Sequence, residues 1–227
     1  ILPLVEIVRA ERTDDATLAT AFAVAARLRK SAVLVRDAPA FVVNRLLTRF
    51  LGEVIGAVDT GTDFAVADHA LEPLGLPMAP FDLLALVGPP VALHVAETLH
   101  RAFPERFRVS DNLRRLASSG KGSVWTWGPK GKTLDPDVAA LIEVPPGVPP
   151  MSEEQVRAHA LDALAEEIRL MLDEGVVAEP HDIDLCLLLG AGWPFHLGGI
   201  TPYLDRTGVA ERVAGRRFLP RGVASLP

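Results

Sequence analysis

The sequence has 227 residues, 49% of them hydrophobic and 23% charged, which suits a globular chain of one large domain or two small ones. Its net charge of -6 excludes a broad nucleic-acid surface, because phosphate binding needs concentrated Lys and Arg, but it leaves room for a small anionic ligand. The single cysteine, Cys186, excludes an internal disulfide and a cysteine-rich zinc site, and no run approaches the ~20 apolar residues of a membrane span. No signal peptide is visible, so a cytoplasmic protein is expected. The chain begins Ile1-Leu2-Pro3-Leu4-Val5, without Met and already inside an apolar segment, as expected of a piece of a longer chain.

Residues 2–8 predict a strand, with Glu6 among the β-formers Leu4, Val5, Ile7 and Val8. Thr13, Asp14 and Asp15 supply a cap and first-turn acids for a helix reaching about Lys30. Residues 31–36, with Ala-Val-Leu-Val, predict a short buried strand. The first 36 residues thus read as strand–helix–strand, the edge of an α/β domain. After Asp37-Ala38-Pro39 the pattern is helical: 41–58, 63–72, 80–87, 89–103, and a basic helix to Ala117 capped by Ser110 or Asp111. Residues 118–136 form a break, in which Trp125-Thr126-Trp127 predicts a short strand with both rings on one packed face. The run Pro145-Pro146-Gly147-Val148-Pro149-Pro150 predicts a stiff linker. Ser152 and Gln155 then form a capping box for a long helix ending at Asp173 or Glu174, before Gly175.

The two helical halves resemble each other. Glu53-Val54 followed by Asp59-Thr60-Gly61 matches Glu167-Ile168 followed by Asp173-Glu174-Gly175 at the same spacing. Val66-Ala67-Asp68 matches Asp182-Ile183-Asp184, and Gly75-Leu76-Pro77 matches Gly192-Trp193-Pro194. Three ordered anchors point to a duplicated helical module rather than to coincidence.

Several residues could carry chemistry. Glu6 in an apolar strand is either an exposed side chain on an edge strand, the reading the residues favour, or a carboxylate that orients a histidine. Asn44 near the start of an apolar helix either fixes a ligand oxygen or bonds to free N–H groups of that helix, the two being evenly balanced. Cys186 in a leucine run reads as a buried hydrophobe. Ser119-Gly120-Lys121-Gly122 lacks the strand and spacing of a phosphate loop and reads as a turn. The six histidines show no metal-ligand spacing.

The string Pro3-Leu4-Val5-Glu6-Ile7-Val8-Arg9, with Asp37-Ala38-Pro39-Ala40-Phe41-Val42-Val43-Asn44-Arg45 and Gly75-Leu76-Pro77-Met78-Ala79-Pro80-Phe81, resembles the 3-hydroxyacyl-CoA dehydrogenase family. That family shows His-Phe-Phe-Asn-Pro before a Leu-Val-Glu strand and Asp-x-Pro-Gly-Phe-x-x-Asn-Arg at the start of its helical domain. The resemblance covers essentially the whole chain, and the second module is most like the large multifunctional subunit of fatty-acid β-oxidation.

The resemblance implies a mainly α fold. Two duplicated modules, like the C-terminal domain of 6-phosphogluconate dehydrogenase, would follow a remnant of a Rossmann-type domain, with domains at 1–36, 37–142 and 143–227. It implies oxidation of (S)-3-hydroxyacyl-CoA to 3-ketoacyl-CoA with NAD by a His–Glu pair. Glu6 matches the glutamate, and the histidine would precede Ile1. Asn44 matches the asparagine near the reacting oxygen, and Pro77, Met78, Pro80 and Phe81 match a loop lining the acyl pocket. Lys121, Lys130 and Lys132 are either CoA-phosphate partners or, the favoured reading, solvated loop lysines. No Gly-x-Gly-x-x-Gly occurs, so these residues alone are expected to hold no dinucleotide and to be inert. Ala40 and Ala79 stand where the family has glycine, and Leu189 stands where the multifunctional subunit has a tyrosine. A different role is an assembly module that pairs with a second copy of itself or docks a thiolase subunit.

Overall fold

The computed structural model describes residues 2–129 and 131–223. In chain order it contains β1 (Leu4–Arg9), α1 (Asp15–Arg27), β2 (Ser31–Arg36), α2 (Val43–Asp59), α3 (Phe64–His69), α4 (Pro80–Val87), α5 (Pro89–Ala102) and α6 (Asp111–Ser118). There follow β3 (Trp125–Gly128), β4 (Gly131–Leu134), α7 (Pro136–Leu141), α8 (Glu153–Asp173), α9 (Pro180–Cys186) and α10 (Ile200–Arg206). Two π-helical turns, Leu187–Ala191 and Ala210–Ala214, interrupt the second half. The fold is mainly α, with helical modules behind a strand–helix–strand start. Among the described residues no single helix is long and apolar enough to cross a membrane.

Compactness divides the chain out of sequence order. One unit comprises residues 1–47 and 161–227, and the other residues 48–160. Each long helix is shared: α2 begins in the first unit and ends in the second, and α8 does the reverse.

In the first unit β1 and β2 pair in parallel, with Glu6 opposite Val33. Asp14 caps α1, accepting from the Thr17 amide at 2.7 Å. Ile7, Val33, Val35 and Ala25 are buried, Ile7 on one face of the paired strands and Val33 and Val35 on the other, which they share with Glu6. The Arg36 amide donates to the Val176 carbonyl at 2.8 Å, tying the end of β2 to the turn after α8. Arg45, fully buried, donates to Glu167 at 2.5 Å and to Glu174 at 2.8 Å, so the first turn of α2 is clamped to α8 by ion pairs. Farther along, Asp184 of α9 accepts from the Thr201 amide at 2.8 Å and the Thr201 hydroxyl at 2.7 Å, capping α10 from outside. Gly199 makes this approach possible, since a Cβ there would lie 2.8 Å from the Asp184 carboxyl carbon. Cys186 is buried, and burial drives its thiol well above the ordinary range, so it acts as a small hydrophobe.

In the second unit Asp68 of α3 repeats the device: it accepts from the Phe81 amide at 2.9 Å, capping α4. Its other oxygen takes Lys132 from β4 at 2.8 Å, and Lys132 also reaches Asp82 at 2.9 Å. Asp59 accepts from Ser110 and Asn112, both at 2.8 Å, joining the end of α2 to the start of α6. Asn112 brackets Glu143, donating to its carbonyl at 3.0 Å and accepting its amide at 2.9 Å, which pins the start of the proline-rich linker. At the linker's end the Met151 amide donates to Thr62 at 2.9 Å. The capping box is reciprocal: the Gln155 amide donates to the Ser152 hydroxyl at 3.3 Å and the Ser152 amide to the Gln155 side chain at 2.9 Å.

Two expectations from the 118–136 break need correction. Trp125 is buried, but Trp127 is 77% exposed, because the hairpin β3–β4 runs past the surface that Trp125 packs against. Lys121 and Lys132 are not solvated loop lysines: Lys121 bridges Asp135 and Asp137 at 2.9 and 2.6 Å, and Lys132 is held as above. Each is already matched by two carboxylates, which disfavours a phosphate role. Lys130 lies outside the described residues.

Candidate functional site

Glu6 is half-buried, not exposed on an edge strand. Its Oε1 accepts from the Val42 amide at 2.8 Å and the Val43 amide at 3.3 Å, the free N–H groups at the start of α2. Burial pushes its carboxyl above the usual value, and the two amide bonds pull it partly back. The Glu6 carboxylate therefore caps α2 from β1, in an environment less aqueous than an open strand edge.

Asn44 is the second residue of α2 and its side chain is exposed. Two of the amides at this helix start, those of Val42 and Val43, are already taken by Glu6. A carboxylate and an amide side chain thus share one helix start, one fixed by backbone bonds and the other facing outward. Ala40 and Phe41, just before the helix, have φ of 58° and 49°. The left-handed backbone at Ala40 costs a residue with a Cβ about 1 kcal/mol. The difference from glycine there is therefore backbone strain as well as one methyl group. At Ala79 φ is -67°, where alanine is relaxed.

The loop residues fall in the second unit and separate by exposure. Pro77 is exposed, and Met78 is 37% exposed. Pro80 and Phe81 are buried at the start of α4. The Phe81 ring packs 5.1 Å from Phe64 and 6.2 Å edge-on to Trp125, with Lys132 over the Trp125 ring at 4.8 Å. Pro77 and Met78 are thus the outward-facing residues of this loop, and Pro80 and Phe81 belong to the core.

The turn from β1 to α1 does not fit a dinucleotide pyrophosphate. The helix N-terminus where such a group would sit is occupied by the Asp14 carboxylate, and Asp15 follows, paired with Arg9 at 2.6 Å.

One structural feature near the site escaped the sequence reading. The π turn Leu187–Ala191 brings Gly190 against Leu4 and Val43, which flank Glu6 and Asn44. A π turn has no periodic signature, so no pattern in the leucine run marked it.

Two family models match adjoining parts of the chain: the NAD binding domain of 3-hydroxyacyl-CoA dehydrogenase over residues 1–38 and the C-terminal domain over residues 41–125. The fatty acid oxidation complex subunit alpha of Acinetobacter baumannii (strain SDF) is 31% identical over 94% of this chain and 32% of its own length. The chain spans about a third of the length of the curated relatives it matches. Among solved structures, 3-hydroxybutyryl-CoA dehydrogenase from Escherichia coli K12 superposes with a TM-score of 0.71 at 17% identity, covering 98% of this chain and 66% of that one. The dehydrogenase part of multifunctional enzyme 1 from C. elegans gives a TM-score of 0.55 at 20% identity, covering 95% and 53%. These two likenesses speak for the fold, and the two family models together span more than half of the sequence. The chain belongs to the 3-hydroxyacyl-CoA dehydrogenase family.

Proposed function

We propose that the protein carrying this chain oxidises (S)-3-hydroxyacyl-CoA to 3-ketoacyl-CoA in fatty-acid β-oxidation, with NAD as cofactor and acyl-CoA as substrate, and works in the cytoplasm. The observation that carries this reading is Glu6, a desolvated carboxylate anchored through one oxygen at the same helix start that presents Asn44. Such a carboxylate can hold an imidazole N–H, fix its tautomer and favour its protonated form. Asn44 can then donate to an oxygen of the acyl group. NAD is assigned to residues other than these, because the β1–α1 turn does not suit its phosphates. In order along the chain, residues 1–36 would complete the cofactor domain, 37–142 form the substrate-facing module, and 143–227 comprise the linker and a supporting module. Pro77 and Met78 would meet the acyl chain.

The test is the oxidation of 3-hydroxyacyl-CoA by the full-length protein. Glu6→Gln keeps an acceptor for the Val42 and Val43 amides and removes the charge. It is expected to lower kcat by about 10²- to 10⁴-fold, the worth of a positioned acid–base group. Asn44→Ala is expected to lower kcat less. Unchanged kinetics in both variants would sink the reading.

A second reading, an assembly module, has its own observation. Leu86, Val87 and Val91 of α4 and α5 are 71%, 46% and 54% exposed, an apolar run in the second unit that suits a second copy or a thiolase subunit. Light scattering of Leu86→Glu with Val91→Glu decides the homodimer case, and an unchanged mass would remove it.

A further inference from the structure

The second module meets the Glu6–Asn44 helix start through a residue with no side chain. Gly190 lies in the π turn after α9, and a Cβ placed on it would fall 2.7 Å from Leu4 Cδ2 and 2.8 Å from Val43 Cγ2. No real Cβ tolerates such distances, so any larger residue must displace one of the two partners. Both matter. Leu4 precedes Glu6 by two positions in β1 and so shares its face of the strand. Val43 donates its amide to Glu6 and directly precedes Asn44. The same wall contains Cys186, whose thiol is raised partly by the negative charge of Glu6. Burial of Val43 (8% exposed) leaves it little room to move aside.

We propose that Gly190 is a positioning residue for the dehydrogenase reaction: its bare backbone sets the depth to which Leu4 and Val43 seat, and thereby the register between Glu6 and Asn44. This deepens the proposed function and rests on it. The second module then has a mechanical role in the site without supplying a group to the substrate. One methyl group at residue 190 must shift Leu4, Val43 or both by more than the roughly 0.5 Å that catalytic geometry tolerates.

The experiment compares the full-length wild type with Gly190→Ala, Gly190→Ala combined with Leu4→Ala, and Glu6→Gln. It reads kcat and KM for 3-hydroxyacyl-CoA oxidation, the melting temperature, and hydrogen–deuterium exchange of the peptide covering residues 40–46. Gly190→Ala is expected to lower kcat by about 10- to 100-fold, the scale of an ångström-sized misplacement, with KM nearly unchanged. Exchange at Val42 and Val43 should rise, and removing the Leu4 side chain should restore both kcat and protection. If Gly190→Ala does not fold, Val43→Ile adds bulk to the same contact from the other side and is read the same way. Wild-type kcat and wild-type exchange in Gly190→Ala, or in Val43→Ile where Gly190→Ala does not fold, would overturn the proposal. So would a loss that Leu4→Ala leaves unrepaired. A wild type that does not oxidise the substrate, or a Glu6→Gln variant with full activity, would instead overturn the functional reading. The exchange measurement still tests the Gly190 contact in that case.

Discussion

The two helical modules keep the same anchors and fill them differently. Glu53 in the first pairs with Arg49 one turn away on its own helix, with both side chains partly exposed. Its counterpart Glu167 is fully buried and pairs with Arg45, 122 residues earlier in the chain. Asp68 caps the next helix and takes a lysine on its second oxygen, whereas Asp184 caps the next helix and takes a threonine hydroxyl. Duplication thus preserved the backbone tasks, helix capping above all, and released the second partner of each acid. The first unit spent that freedom on clamping the start of α2, the element that bears Asn44.

This comparison is sharpest at the two arginines. Arg45→Ala removes the cation from a fully buried carboxylate and is expected to cost about 3–5 kcal/mol in chemical denaturation. Arg49→Ala removes a less deeply buried pair between neighbouring helix turns and is expected to cost less than Arg45→Ala. Equal costs would break the claim that the modules diverged in how they use the shared glutamate.

A smaller effect separates the two aspartates. Burial holds the Asp184 carboxyl above the ordinary 3.8. In the acidic window just above that value the folded state keeps a proton that the unfolded state has released, so this group's contribution to stability falls as pH rises through the window. Asp184→Asn can still accept from the Thr201 amide and should cost less than about 1 kcal/mol near neutrality. Relative to the wild type it should also gain stability as pH rises through that acidic window, because it lacks the group whose contribution falls there. Asp68→Asn should cost more, because Lys132 loses a charged partner. A variant that loses stability relative to the wild type as pH rises through that window would contradict the burial argument.

Much of the fold could be read from local residues. β2 at 31–36 and α4 at 80–87 fall where the β-formers and the Pro80–Gly88 punctuation put them. The capping box at Ser152 is likewise a local device. The site was less legible. Glu6 read as an exposed strand residue because its partners, the Val42 and Val43 amides, lie 36 and 37 residues away. The strain at Ala40 was visible only as a departure from a family glycine, since the sequence does not print φ. Lys121 and Lys132 read as solvated because each meets acids brought near by the hairpin or by a helix, and Trp127 because alternation predicts a face but not where the packing surface ends. Gly190 had no signal at all beyond being a glycine in a leucine run.

The out-of-order composition of the first unit bears on how the chain is made. Arg45 and Arg36 each bond to residues that emerge much later, Arg45 to Glu167 and Glu174 and Arg36 to Val176. At a synthesis rate of about 5–20 residues per second, about 6–24 s separates the emergence of Arg45 from that of Glu167. Residues 48–160 are contiguous and can begin to condense within that interval. The helix start that carries Asn44 spends it without the ion-pair partners of Arg45. On the ribosome the helix start bearing Asn44 is therefore fixed later than the contiguous unit that follows it.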